Sequence, residues 1–393
     1  MQEEKEGRVN KEAWETIKRY YLYWWNNDFL DRIPLWVTAP RDDPQSLEIL
    51  TGKSLWVGKE ERFDSEKVIR NAQEILRATF YGGLAFPCYF PNFGTDVFSA
   101  YLGAEIEFSD SFPPVSTGPS FIKEGVIPVS WAKWGHPVLT DYTDLSQLRI
   151  HEDGVYWQKT KEFVTRVLEI SRGEFFVGAT DIHPSMDALA VLRGSPQNLC
   201  LDLVDNPEGV KKAMVFLWNA WVRVYEETYY SLILGQQEGT TAWINLWAPG
   251  KFYPVENDLS LLISTDLYRE FFLEELVNEI NYLDYSIYHL DGEGALHHLE
   301  MILDIPKLNA VQWVAGAGES TTGVAKWIPL YQKIQSRSKA IIVYCAPGEV
   351  ELVVSALRPE GLLISVNCES EKEAKELLGH YGWEGVYWWL QEE

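Results

Sequence analysis

The chain has 393 residues, 46% of them hydrophobic, and a formal net charge of −24. Such apolar content supports a sizeable buried core and excludes intrinsic disorder. The acidic balance argues against a nucleic-acid partner or an anionic membrane surface, both of which demand Lys/Arg-rich faces.

The opening "MQEEKEGRVN" has no apolar core behind a basic start, so no signal peptide is expected. No apolar run approaches the roughly 18 residues of a membrane span. Four scattered cysteines, Cys88, Cys200, Cys345 and Cys368, do not make a disulfide framework. A reduced, cytoplasmic protein is the expectation. The 17 Trp, 20 Tyr and 17 Phe suit core packing, and also a pocket with flat stacking walls.

In chain order, "NKEAWETIKRYYLYWWNND" has the apolar spacing of a helix, with Asn10 as its cap. "RIPLWVTA" reads as the first strand and "DSEKVIRNAQEILRATF" as a helix. "GGLAFPCYF" (82–90) and "EFFVGAT" (174–180) read as the second and third strands, with an insertion between about 105 and 170 that carries a helix near 153–172. A long helix follows, opening at Asn206-Pro207 and ending before Gly235. "TTAWINLW" reads as the fourth strand, and "YSIYHL", "AVQWVA", "AIIVYC" and "LLISV" as the remaining four, each followed by a helix.

About eight strands alternating with helices predict a parallel (β/α)₈ (TIM) barrel in one domain spanning 1–393, with an N-terminal helical extension and an insertion after the second strand. The rival open, doubly wound sheet calls for a Gly-rich first turn, which "VTAPRDDP" does not supply.

In such a barrel the chemistry sits at the C-terminal strand ends. Those ends carry Asp96, Asp181, Asn245, Trp247, His289, Asp291, Trp313, Cys345, Asn367 and Cys368. His289 and Asp291, two apart on a strand, face the same way and could meet one cation. The alternative is a polar strand end whose histidine bonds a neighbouring loop. Asp181 has its own alternative, capping a helix around Ser185–Arg193. Trp247 reads as pocket lining and Trp243 as core. His297-His298 reads as a helix face. "GAGESTTG" (316–323) lacks the spacing of a dinucleotide loop, and no G-x-S-x-G elbow is present.

The segments "IPLWVTA", "NFGTDVFSAYLGAEIEF", "YHLDGEGALHHLEMILDIPKLNAVQWVAGAG" and "LLISVNCESEKEAKELL" resemble the uroporphyrinogen decarboxylase superfamily, and within it a branch labelled as a trimethylamine corrinoid protein. The resemblance implies a (β/α)₈ barrel. It places Asp96 at the decarboxylase's essential aspartate, His289 at the histidine of the methyltransferases' H-x-C zinc motif, and Cys368 at their distant zinc cysteine. Asp291 stands where that motif has cysteine, which would make the metal harder and more Lewis-acidic. The decarboxylase's arginine-rich segment is reduced here to Arg41, so its own activity is not expected.

Three readings follow. The first is zinc-dependent methyl transfer with a corrinoid protein as partner, the metal on His289, Asp291 and Cys368, with Cys345 in reserve. The second is a metal-dependent hydrolase or lyase acting on a small polar ring such as a sugar. There Asp96 or Asp181 is the acid/base, and Trp247, Trp313, Arg41 and Asn245 bind substrate. The third is a non-catalytic binding barrel.

Overall fold

The computed structural model describes residues 11–53, 55, 61–112, 127–171, 174–234, 238–316 and 323–388. The Asn10 cap and most of "GAGESTTG" lie outside the described residues. No helix among those described is long and apolar enough to cross a membrane.

The strands are β1 (Leu35–Pro40), β2 (Thr79–Gly83), β3 (Cys88–Tyr89), β4 (Ile106–Phe112), β5 (Ile127–Ala132), β6 (Phe176–Val177), β7 (Phe252–Val255), β8 (Tyr285–Asp291), β9 (Ala310–Val314), β10 (Ala340–Tyr344), β11 (Leu362–Asn367) and β12 (Tyr387–Trp388). Eight of them form one sheet in the order β12-β2-β1-β11-β10-β9-β8-β7. From β7 to β1 every pairing is parallel. The protein is therefore α/β with a large, mostly parallel sheet, and its central strands are buried along almost their whole length, as a sheet covered on both faces requires.

Two departures from the expected strands matter. The helix Ser65–Ala78 is capped by Asp64, whose side chain accepts from Lys67 N, and it buries Val68, Ile69, Ala72 and Leu76. It runs directly into β2, which pairs antiparallel with β1. Gly83 makes the return, with φ +64° and no room for a Cβ against Leu35 O. "GGLAFPCYF" thus divides between β2 and β3, and β3 pairs with β6.

The second departure is larger. "TTAWINLW" is no regular strand; it holds one antiparallel bridge, Thr240 to Ala248. The strand beside β8 is β7, from "FYPV", which the sequence reading passed over. Pro254 cannot donate to a ladder, so it suits a strand with one unpaired side, and β7 ends the sheet.

The insertion is the β4–β5 hairpin and the helix Val155–Ser171. The N-terminal helix Lys11–Trp25 packs Trp14 against Phe86, Phe176, Trp247 and Trp388.

Candidate functional site

Register decides which side chains meet. Ile287 lies opposite Pro254 on β7 and Ala310 on β9. Two residues on, His289 lies opposite Gln312, and Glu256, two beyond Pro254, arrives at the same level. Asp258 follows at the next step of the same spacing. Ligand atoms of Glu256, Asp258 and His289 all fall within 4.8 Å of one another, the one such group among the described residues. Glu256 is buried at 6% exposure, His289 is half-buried and Asp258 exposed.

His289 is oriented from behind. Its Nδ1 is 2.7 Å from Gln312 Oε1, while Gln312 Nε2 is 2.6 Å from Tyr344 Oη. With the amide nitrogen used on Tyr344, an oxygen faces the imidazole. An amide oxygen only accepts, so Nδ1 carries a hydrogen and, in the neutral ring, Nε2 is the nitrogen with the lone pair. That lone pair lies 4.0 Å from Glu256 Oε2.

A second histidine, absent from the sequence reading, completes the cluster. His183 Nδ1 lies 2.5 Å from Glu256 Oε1, and its Nε2 pairs with Asp181. Burial works against the His183 imidazolium, but Asp181 and Glu256 outweigh it and hold its pKa well above the ordinary value. Asp181-Ile182-His183 is the mirror image of His289-Leu290-Asp291, the same spacing at another strand end. That was the signal in the sequence. Asp181 does not cap the helix Ser185–Leu192, whose N-cap is Pro184.

Other carboxyls converge here. Asp96 accepts from Ala132 N at 2.7 Å. Burial raises its pKa, and the charges of His183, Asp181 and Asp258 reach it. Asp187 accepts from Asp258 N at 3.0 Å and Leu259 N at 2.9 Å, which fixes the loop that carries Asp258. Asp291 is raised by burial, with His289 opposing, and its Oδ1 is enclosed without a hydrogen-bond partner. The Trp243 ring lies roughly perpendicular to both imidazoles, its centroid 5.9 Å from that of His183 and 5.0 Å from that of His289.

The remaining expected residues sit elsewhere. Asp291 and Cys368 do not join His289 in the ligand group. Cys368 follows β11, with β9 and β10 intervening. The strand register carries the level of His289 to Leu363, so Cys368 lies well beyond it. Its side chain is fully buried, and burial pushes the thiol up to about 12. The reserve, Cys345, is likewise buried with its thiol up to about 12.

Trp247 is 4% exposed, its indole N–H given to Glu238 O and its ring against Trp14 and Tyr21, so it packs the core; the cleft it lines, with Lys18 and Glu238, is not the one at His289. Trp313 lies opposite Leu290, on the other face from His289, and packs on Trp327. Arg41 is half-buried near Tyr81 and Asp43. Asn245 is half-buried, its Oδ1 enclosed and without a hydrogen-bond partner. The doublet His297-His298 is structural: both rings bond backbone carbonyls, and His298 stacks on Tyr268.

The fold and site define an α/β protein with a carboxylate-and-histidine cluster at strand ends. No family model matches the chain, and no curated protein matches it.

Proposed function

We propose that the chain is a metal-dependent hydrolase or lyase on a (β/α)₈ barrel, acting on a small polar ring such as a sugar. The observation that carries this reading is the meeting of Glu256, Asp258 and the His289 Nε2 lone pair. A lone pair set against two carboxylates is repulsive unless a cation or a proton lies between them. Two oxygens and one imidazole nitrogen are a hard donor set that zinc, manganese or iron accepts. Barrel closure is supported by the β3–β6 pair and by Ala179 N–H to Thr241 O, which extend pairing toward the segment before β7.

A divalent cation bound there would supply Lewis-acid polarisation of a substrate oxygen. The chain's own residues do the rest. Asp96 and Asp291, both raised by burial, are the carboxyls suited to hold and deliver a proton. His183, gripped at both nitrogens, keeps Glu256 turned toward His289. Trp243 offers an apolar wall on which a sugar ring can lie.

Zinc-thiolate methyl transfer to or from a corrinoid protein needs sulfur on the metal, and neither Cys368 nor Cys345 joins the group, so that reading stands second. The superfamily resemblance rests on the quoted segments alone.

Metal analysis of the purified protein and of Glu256→Gln, His289→Ala and Cys368→Ser, followed by hydrolysis of a sugar panel, tests the proposal. The expected result is loss of the metal and of turnover in the first two variants and retention of both in the third. Metal lost in Cys368→Ser but kept in Glu256→Gln would restore the methyltransferase reading, and metal without turnover would leave a binding barrel.

A further inference from the structure

We propose that Glu275 and Glu279, with the Ser185 hydroxyl, form a second, enclosed site for an oxygen-seeking divalent cation behind the His183–Glu256 pair. Both glutamates lie on the helix Leu273–Tyr282, four residues apart and therefore on one face. That face is the buried one, shared with Leu276 and Ile280, where an amphipathic helix ordinarily carries apolar residues. Glu275 is 5% exposed, Glu279 1% and Ser185 0%. Glu275 Oε1 and Oε2, Glu279 Oε1 and Ser185 Oγ are all enclosed, and the Ser185 hydroxyl reaching the Glu275 carboxyl is the one polar contact among them. Ser185 opens the helix Ser185–Leu192 and borders the Glu275 carboxyl. The charges of His183 and Glu256 reach Glu279.

An ionised carboxylate enclosed without a partner costs far more than one hydrogen bond returns, and two side by side repel each other. Such a pair is resolved by protons or by a cation. Burial holds both carboxyls above their ordinary range, so the pair does not ionise unaided. Protons on both carboxyls neutralise the pair, with the Ser185 hydroxyl as its one further donor. A cation takes three carboxylate oxygens and a hydroxyl together. An all-oxygen set selects Mg²⁺, Mn²⁺ or Ca²⁺ over the softer metals. Since the charge of Glu256 reaches Glu279, a positive charge there would also offset repulsion among the acids of the front cluster.

The test counts Mn²⁺ on the full-length protein after chelation and dialysis. Two equivalents are expected in the parent, one in Glu275→Gln/Glu279→Gln and one in Glu256→Gln/His289→Ala. The same count in the parent and in the glutamine pair overturns the second site, whatever happens at the front one. An unchanged count in Glu256→Gln/His289→Ala is the separate failure of the front site. If the glutamine pair does not fold, the melting temperature of chelated Glu256→Gln/His289→Ala decides. A rise on adding Mn²⁺ that Ser185→Ala diminishes supports the proposal, and no rise overturns it.

Discussion

Trp243 and Trp247 lie four residues apart and have opposite fates. Trp243 packs across both His183 and His289, its plane roughly perpendicular to theirs and its indole nitrogen enclosed with no hydrogen-bond partner. Trp247 is sealed against Trp14 and Tyr21 of the N-terminal helix, its indole N–H satisfied by Glu238 O at 2.6 Å. Sequence reading takes Trp243 for core and Trp247 for pocket; both pack on the core, and Trp247 also lines a cleft beside the N-terminal helix. The segment between them is not a strand, because the chain folds back in the Thr240–Ala248 bridge, so alternation cannot be carried across it. In this aromatic-rich chain a tryptophan's role follows from what closes over it.

The contrast makes measurable claims. Trp247→Ala should destabilise the fold by about 4 kcal/mol in urea titration, as large-to-small core changes do, while turnover per folded molecule holds. Trp243→Ala should do the reverse, raising KM for a ring substrate at a smaller stability cost. Equal losses of stability in both would erase the distinction between the two regions.

The next effect in size concerns the buried acids behind the site. Glu275 is raised by burial from an ordinary 4.5 to about 7. A group raised in the fold contributes stability that is fully present below its unfolded value and is lost as pH rises through its folded one. In chelator, the parent should therefore lose more stability than Glu275→Gln as pH rises from 4.5 to 8. Urea midpoints of both proteins across that range give the answer, and parallel curves would refute it. Glu279, also raised, is left in place in both proteins and adds to the slope of each.

Gln312 sharpens the site half of the comparison. It supplies no ligand atom of its own and acts by holding the His289 ring at Nδ1. Gln312→Ala should weaken metal binding about 10–100-fold, the range for a residue that orients a ligand. Tyr344→Phe, which removes only the bond that orients the Gln312 amide, should weaken it less. Unchanged affinity in Gln312→Ala would mean that the Nε2 lone pair is not the ligand.

Much of the architecture was legible from the chain alone. Apolar strands alternating with capped helices announced a mostly parallel α/β sheet, because burial on both faces leaves continuous runs such as "AIIVY" and "LLISV". His289, Asp96 and Asp181 were legible as polar residues at strand ends. Glu256 and Asp258 were not, since Pro254 disguised β7 and no strand was read there for them to terminate. His183 was missed although Asp181-Ile182-His183 repeats the spacing that singled out His289 and Asp291.

What the sequence determined by itself is local: period, caps, and which residues end each strand. Which of those ends meet is a matter of register between strands far apart in the chain, and only the tertiary structure decides it. Parallel pairing set Glu256 beside His289 and left Cys368 beyond them with β9 and β10 intervening. The candidate donor set changed with it, from the expected thiolate-bearing one to a group of two carboxylates and an imidazole that could hold a metal ion. The reason is physical: register is selected by the packing of all the strands at once, and no single strand's own residues carry that information.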